Sequence, residues 1–173
     1  RNDMGAFGGP YGISYTYEDG PPTVEYINVN PNNALPGTEV VIQALIWDAV
    51  SVVTSVEIEI ENPDESPIAN ITLYDDGAHN DGASGDSIYG NVWTTPSGNE
   101  EVFFVDLTAS DDNAHVLAHD NIIEFNTHIP DILYVSTSGS DETGDGTELN
   151  PYRNINHAIS MAVDYDTILV LPG

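Results

Sequence analysis

The chain has 173 residues, with 29 Asp and Glu against two Lys and Arg, and a formal net charge of −27. This charge repels phosphate backbones and anionic membrane surfaces, which excludes nucleic acid as a partner, and it attracts hard cations such as Ca²⁺. Cysteine is absent and no stretch approaches the ~20 apolar residues of a membrane span, so disulfides, zinc–thiolate sites, cysteine nucleophiles and membrane insertion are excluded.

The first predicted unit is residues 1–22, RNDMGAFGGPYGISYTYEDGPP, which are rich in glycine, proline and aromatic residues. This composition argues against a helix, and the Gly-Pro-Pro run at 20–22 is typical of a linker. Tyr11, Tyr15 and Tyr17 recur here, and exposed aromatic rings can stack on sugars. Both a glycan-binding and a structural role stay open for these tyrosines.

Residues 23–129 predict one all-β unit. Seven segments are enriched in β-branched and aromatic residues with alternating apolar and polar positions. They are residues 23–31, 38–49, 55–61, 68–74, 87–95, 101–110 and 115–128. This number of strands is that of an immunoglobulin-like β-sandwich, although without its cysteines any relation to antibody domains is architectural. Trp47 and Trp93 are expected in the core.

The segment SVEIEIE at 55–61 has the cleanest alternation in the chain. Val56, Ile58 and Ile60 fall on one face of the predicted strand, because successive side chains point to opposite sides. The three glutamates between and after them, at 57, 59 and 61, are expected to face solvent.

Residues 130–173 change pattern to strand, loop, helix and strand. Asn150 and Pro151 predict an N-cap followed by proline at the first helical position. Apolar residues then recur at helical spacing from Ile155 to Ala162. The run DTILVLPG at 166–173 predicts a final strand.

The loop LYDDGAHNDGASGDSIYG at 73–90 is the strongest candidate metal site. Ca²⁺ takes six to eight oxygen ligands, and closely spaced carboxylates on a glycine-rich backbone could supply most of them. The predicted ligands are Asp75, Asp76, Asp81 and Asp86, with His79 as a weaker candidate. The alternative is a long β-connection whose acidic residues form Asx-turns.

Two further groups are weaker candidates. DETGDG at 141–146 resembles the start of an EF-hand loop, but Tyr152 stands where the bidentate glutamate belongs, so a turn is favoured. His115, His119 and His128 cannot share one strand face at their spacing, so ordinary surface histidines are expected.

Both ends of the chain resemble a known superfamily. YVSTSGSD (134–141), GDGTELNPY (144–152), NINHAISMA (154–162) and DTILVLPG (166–173) resemble the N-terminal cap of pectate-lyase-like right-handed parallel β-helices of secreted bacterial proteins. DMGAFGGP (3–10) resembles the final coil of such a helix. The 73–90 loop resembles loops in immunoglobulin-like modules of bacterial surface proteins.

The resemblance implies a mainly β fold, with an immunoglobulin-like sandwich between a terminal β-helix coil and a cap helix plus first strand. The expected boundaries are 1–22, 23–129 and 130–173. Either the chain is part of a larger surface protein, or a second copy completes its ends. The residues expected to make that contact are Thr167, Ile168, Leu169, Val170, Leu171, Met4 and Phe7.

The function expected from the sequence is that of an extracellular or cell-surface structural module, which assembles head-to-tail with copies of itself into filaments and is stabilised by Ca²⁺. The alternative is a carbohydrate-binding or adhesion spacer, with polysaccharide as the partner, in a larger glycan-active β-helix protein. Catalysis by this chain is not expected. The polysaccharide lyases that share the β-helix fold need a basic residue to take a proton from the substrate. This chain has no lysine, and its only arginines are Arg1 and Arg153.

Overall fold

The structure is a computed structural model that describes residues 18–172. The predicted N-terminal coil, with Met4 and Phe7, lies outside the described residues. The elements are β1 (Thr23–Asn30), β2 (Asn33–Ala34), β3 (Glu39–Trp47), β4 (Val53–Glu61), β5 (Pro67–Leu73), β6 (Ile88–Thr94), β7 (Val102–Asp111), β8 (Val116–Thr127), β9 (Ile132–Val135), α1 (Ile155–Met161) and β10 (Thr167–Val170). The protein is therefore mainly β, as the sequence predicts.

Strands β1 to β8 form two sheets. One sheet has the order β1-β3-β6 and is antiparallel throughout. The other has the order β2-β8-β7-β4-β5, in which only the two-residue strand β2 runs parallel to its neighbour. Tyr74 and Gly90 exchange backbone hydrogen bonds of 3.0 and 2.8 Å and connect the ends of β5 and β6.

The inner faces of both sheets share one hydrophobic core. Its buried members are Val29, Ala34, Val40, Ile42, Ala44, Ile46, Val56, Ile58, Ile60, Leu73, Phe103, Val105, Leu107, Ala109 and Phe125. Trp93 from the three-stranded sheet packs edge-on against Phe103 and Phe125 from the five-stranded sheet, at centroid distances of 5.2 and 6.0 Å. Each fully buried large apolar side chain contributes about 1.5–3 kcal/mol to folding.

Residues from 132 onwards form a small unit with a parallel two-stranded sheet, β9 with β10. Helix α1 covers it through Ala158, which is buried together with Val135 and Tyr152. Among residues 18–172 this unit consists of two parallel strands and one helix, and these elements do not complete a β-helix coil. The β-helix relationship therefore stays a prediction from the sequence.

Helix α1 begins four residues later than the sequence predicts. Its N-cap is Asn154, whereas Asn150 and Pro151 precede an extended segment. Tyr152 forms a parallel bridge with Val135, donates its backbone N–H to the carbonyl of Tyr134 and accepts the N–H of Ser136. These bonds keep residue 152 in strand-like geometry, so the helix can start only after it.

Two side chains of the sheets lie in environments other than those expected. Trp47 is 38% exposed at the end of β3 and donates its indole N–H to Glu25 at 2.9 Å, so only Trp93 joins the core. Glu61, expected to face solvent, is 4% exposed. The register of β4 against β5 shifts between Ile60 and Glu61, and this irregularity is not visible in the sequence alternation.

In the described part of the chain, no helix is long and apolar enough to cross a membrane.

Candidate functional site

The 75–89 loop is held together by its own aspartates. Asp75 accepts three backbone N–H groups, from Gly85 at 2.7 Å, Asp86 at 3.2 Å and Ser87 at 3.0 Å. Asp86 accepts those of Ala83 and Ile88, both at 3.0 Å. These carboxylates satisfy amides that have no partner in a sheet or helix, which is the role expected of Asx-turn residues.

Asp81 is the buried centre of this loop. Its carboxylate accepts the N–H of Gly77 at 2.6 Å and of His79 at 3.2 Å. Burial alone would raise the pKa of Asp81, but these amides favour the charged form more strongly and hold the pKa below its ordinary value. Asp81 is therefore ionised, and each of its carboxylate oxygens accepts one N–H group of the loop backbone.

Asp76 and His79 form a pair at the surface of the loop. The His79 Nδ1 atom lies 3.0 Å from each Asp76 carboxylate oxygen, and its ring packs on Tyr74 with centroids 4.4 Å apart. The hydrogen bond from His79 lowers the pKa of Asp76. The contacts with Asp76 and Tyr74 fix the orientation of the His79 ring.

The five predicted calcium ligands thus lie in one loop, and the structure directs their carboxylates mainly to separate backbone amides. Among the described residues, three or more metal-binding side-chain atoms converge within 4.8 Å at two other places. Calcium binding by the 75–89 loop stays a prediction. The carboxylate of Asp141, in the EF-hand-like segment, is likewise directed to backbone amides. It accepts the N–H groups of Arg153 at 2.8 Å and Asn154 at 3.0 Å.

The first convergent group is Asp19, Asp111 and His115. His115 Nδ1 lies 3.0 Å from Asp111 Oδ2 and 3.7 Å from Asp19 Oδ2, and the hydrogen bond to Asp111 raises the pKa of His115. Asp19 also accepts hydrogen bonds from Ser51 and Asn113, both at 2.5 Å. The group ties the segment before β1 to the β7–β8 turn.

The second convergent group is Glu61, Asp106 and Asp120, from β4, β7 and β8. None of the three stands out in the sequence among 29 acidic residues. Pairing between strands brings them together, and a sequence carries no local signal for that pairing. Acidic clusters able to hold a metal ion are therefore present, at positions other than the predicted loop.

The described part of the predicted assembly segment is strand β10 and Leu171. Thr167 and Leu171 donate their N–H groups to Asp131 at 2.9 Å and Val135 at 2.8 Å, on the β9 side. Because amides alternate along a strand, those of Ile168 and Val170 point to the opposite edge, where residues 18–172 place no strand. Leu169 and Val170 are 45% and 53% exposed.

Other apolar side chains of this small unit are exposed as well. They are Ile132, Leu149, Ile155, Ile159, Met161 and Val163. The apolar face predicted for helix α1 exists, but of its residues only Ala158 is buried.

His128 connects the end of β8 to this unit. Its Nε2 atom lies 2.8 Å from Asp166 Oδ1, and its Nδ1 atom lies 2.7 Å from Glu100. The hydrogen bond to Asp166 is the main cause of a raised His128 pKa, and the charges of both carboxylates add to it. His128 is mostly buried, so the ion pair is a structural joint. Sequence reasoning, which assigned it to the surface, missed this role.

A shallow groove of about 250 Å³ lies beside the exposed Trp47. It is lined by Ile46, Trp47, Asp48, Ser51, Val52, Val53, Asp75, Ser87 and Tyr89. Aromatic rings next to carboxylates and hydroxyls are the side chains that stack on sugars and hydrogen-bond to their hydroxyl groups.

No protein-family model matches the sequence, and no curated protein matches it. Among solved structures, the chain is similar to a DUF3823 family protein from Bacteroides ovatus, with 16% identity and a TM-score of 0.39 over 60% of this chain and 53% of that one. It is similar to a Paenibacillus cycloisomaltooligosaccharide glucanotransferase, with 16% identity and a TM-score of 0.40 over 69% of this chain and 17% of that one. The chain thus spans about half of the first protein and a minor part of the second, and at these values neither likeness assigns it a family or an activity.

Proposed function

We propose that the chain is a non-enzymatic, extracellular or cell-surface structural module that assembles head-to-tail with copies of itself. In this proposal its two sheets form an immunoglobulin-like sandwich. The strand order supports that reading: leaving out the short β2, the first, second and fifth strands make one sheet, and the third, sixth and seventh lie together in the other, as in immunoglobulin folds.

The observation that carries the assembly proposal is the edge of β10 that has no partner strand among residues 18–172. An edge strand with outward amides and exposed apolar side chains is a template for a strand from another chain. On the other side, β9 is bonded to the segment around Tyr152, so β10 is the edge at which this small sheet can grow. The Gly-rich N-terminal segment of a neighbouring copy, with Met4 and Phe7, is the proposed occupant.

Charge sets the conditions for such assembly. Copies with a net charge of −27 repel each other, and the repulsion is screened over about 8 Å at physiological ionic strength. Assembly is therefore expected to strengthen with added salt, and more strongly with divalent cations that bind carboxylates.

Proline substitution at the edge tests the proposal. Val170→Pro removes one outward amide and leaves the bonds to β9 in place, because the amide of residue 170 points away from β9. A control, Leu149→Pro, places proline at a 98% exposed residue in the loop of the same unit. Sedimentation velocity and negative-stain electron microscopy at high protein concentration measure assembly.

We expect the parent and Leu149→Pro to form elongated oligomers and Val170→Pro to remain monomeric with an unchanged circular dichroism spectrum. A parent chain that stays monomeric at high concentration and high salt would refute the proposal. So would a Val170→Pro variant that assembles like the parent.

The second candidate function is carbohydrate binding, favoured by the exposure of Trp47 beside its groove. Trp47→Ala removes the ring from the groove, and Tyr26→Ala removes an exposed aromatic that does not line it. Affinity electrophoresis in gels containing neutral or acidic polysaccharides measures binding. Retardation of the parent and Tyr26→Ala, lost in Trp47→Ala, would support this function, and equal mobility of all three with and without glycan would exclude it for this groove.

A further inference from the structure

Three neighbouring strands bring Glu61, Asp106 and Asp120 together on the outer face of the five-stranded sheet. Asp106 is the cross-strand partner of Glu59, and Ile60 is that of Val105. Ile60 and Val105 are buried in the core, so Glu59, Glu61 and Asp106 point to the opposite face by strand alternation.

A local irregularity between β7 and β8 adds the third carboxylate. The partner of Val105 is Ile123, but the partner of Leu107 is His119, so three residues of β8 stand opposite Asp106 alone. At the centre of this bulge Asn121 has a positive φ of 50° and donates its N–H to Asp106 at 2.8 Å. Asp120 lies in this bulge, and one oxygen of each of the three carboxylates is within 4.8 Å of the others.

Glu61 has an unsatisfied atom in this group. The residue is 4% exposed, and its Oε1 atom is buried without a hydrogen-bond partner among residues 18–172. Burial, followed by repulsion from Asp106 and Asp120, raises the pKa of Glu61. The charged groups that raise this pKa, Asp106, Asp120, Glu59 and Glu65, are all carboxylates, whereas a buried carboxylate normally pairs with a donor, a cation or a metal.

We infer that Glu61, Asp106 and Asp120 form a binding site for one divalent cation with a preference for oxygen ligands, in the first place Ca²⁺. The unsatisfied oxygen of Glu61 is one ligand of the ion, and the other two carboxylates contribute one oxygen each. Ca²⁺–oxygen distances of about 2.3–2.6 Å place two ligands of one ion at most about 4.6–5.2 Å apart, and the three carboxylate oxygens all lie within 4.8 Å of one another, close enough to share an ion.

The ion would bridge β4, β7 and β8 at the outer surface of the sheet. It would neutralise the repulsion among the three carboxylates and fix the bulge that Asp106 and Asn121 form. This inference concerns the sandwich and is independent of the proposed assembly through β10.

Ca²⁺ itself is the probe for the test. Isothermal titration calorimetry and thermal unfolding, in CaCl₂ or in EDTA with NaCl at equal ionic strength, are measured for the parent and four variants. Glu61→Gln and Asp120→Asn each replace one proposed carboxylate ligand by a neutral amide, and Asp120 is exposed, so its substitution is expected to leave the fold intact. Glu57→Gln makes the same charge change at an exposed residue of β4, and Asp86→Asn changes the 75–89 loop.

We expect Ca²⁺ to raise the melting temperature of the parent, Glu57→Gln and Asp86→Asn beyond the effect of NaCl. Glu61→Gln and Asp120→Asn should lose most of that rise and bind Ca²⁺ at least about ten-fold more weakly, as expected for removal of one charged ligand. In EDTA, Glu61→Gln should be at least as stable as the parent, because it removes an unpaired buried charge.

Three results would overturn the inference. The first is a calcium effect no larger than that of NaCl. The second is a calcium response of Glu61→Gln and Asp120→Asn equal to that of Glu57→Gln. The third is a response lost in Asp86→Asn and kept in both ligand variants, which would assign the ion to the 75–89 loop.

Discussion

The 75–89 loop packs closely on Gly90, and we expect substitution of this glycine to lower the free energy of unfolding. A methyl group at residue 90 would lie 2.8 Å from the carbonyl oxygen of His79, 2.9 Å from Asp81 Cα and 3.0 Å from Asp81 N. All three are backbone atoms, and they cannot move aside by a change of rotamer. Gly90→Ala therefore forces either the loop or β6 to shift by about half an ångström, and overpacking of this kind costs about 1–3 kcal/mol.

A matched control separates this clash from the general effect of replacing glycine. Substitution of glycine by alanine stabilises a protein by about 0.4–1 kcal/mol through the unfolded chain wherever the native conformation allows it. Among the described residues no atom lies within 4 Å of a methyl group added at Gly20, so Gly20→Ala is expected to show that gain alone. The difference between the two variants is expected to be at least about 1–3 kcal/mol, or roughly 2–12 °C in melting temperature for a chain of this length.

Urea unfolding followed by tryptophan fluorescence measures the difference in the free energy of unfolding. Limited proteolysis of the 75–89 loop reports whether the loop is the part that moves. If Gly90→Ala proved as stable as Gly20→Ala and as resistant to cleavage in the loop, the close packing of the loop on β6 would be refuted.

Three further predictions concern the joint, the helix start and the core. Asp166 raises the pKa of His128, so the stability contributed by this ion pair is full below pH 6.5 and is lost as the pH rises through the higher pKa of the folded state. In thermal melts at a series of pH values, His128→Gln should flatten this decline, and His119→Gln, at an exposed residue, should not. Asp141→Ala removes the acceptor of two amides before α1 and should speed hydrogen exchange of that helix roughly ten-fold, with unchanged exchange in the sheets as the internal control. Phe103→Ala leaves a cavity in the core and should cost about 3–5 kcal/mol in urea unfolding; a loss below that of an exposed substitution would contradict the packing of the sheets.

Local sequence was sufficient for the strands. Strong alternation, as in Val56, Ile58 and Ile60, marks a strand with one buried face because side-chain direction has a period of two. The seven strands expected in residues 23–129 are all present, and the predicted strand–helix–strand order after residue 130 is confirmed. The predicted start of helix α1 was wrong, because the bridge between Tyr152 and Val135 overrides the local helix-start signal of Asn150 and Pro151.

The sequence by itself determined the acidic surface, the absence of thiol chemistry, the strands and the glycine- and aspartate-rich loop, since each depends on composition or on neighbours along the chain. The tertiary structure decided which acids meet, which edge of β10 lacks a partner strand within residues 18–172, and where Trp47 and Glu61 lie. Those features depend on strand pairing and on bulges that shift the register, as at Asp106 and Ile60. Glu57 and Glu61 look equivalent in the alternating run, and only the fold leaves Glu57 in water and buries Glu61 beside two other carboxylates.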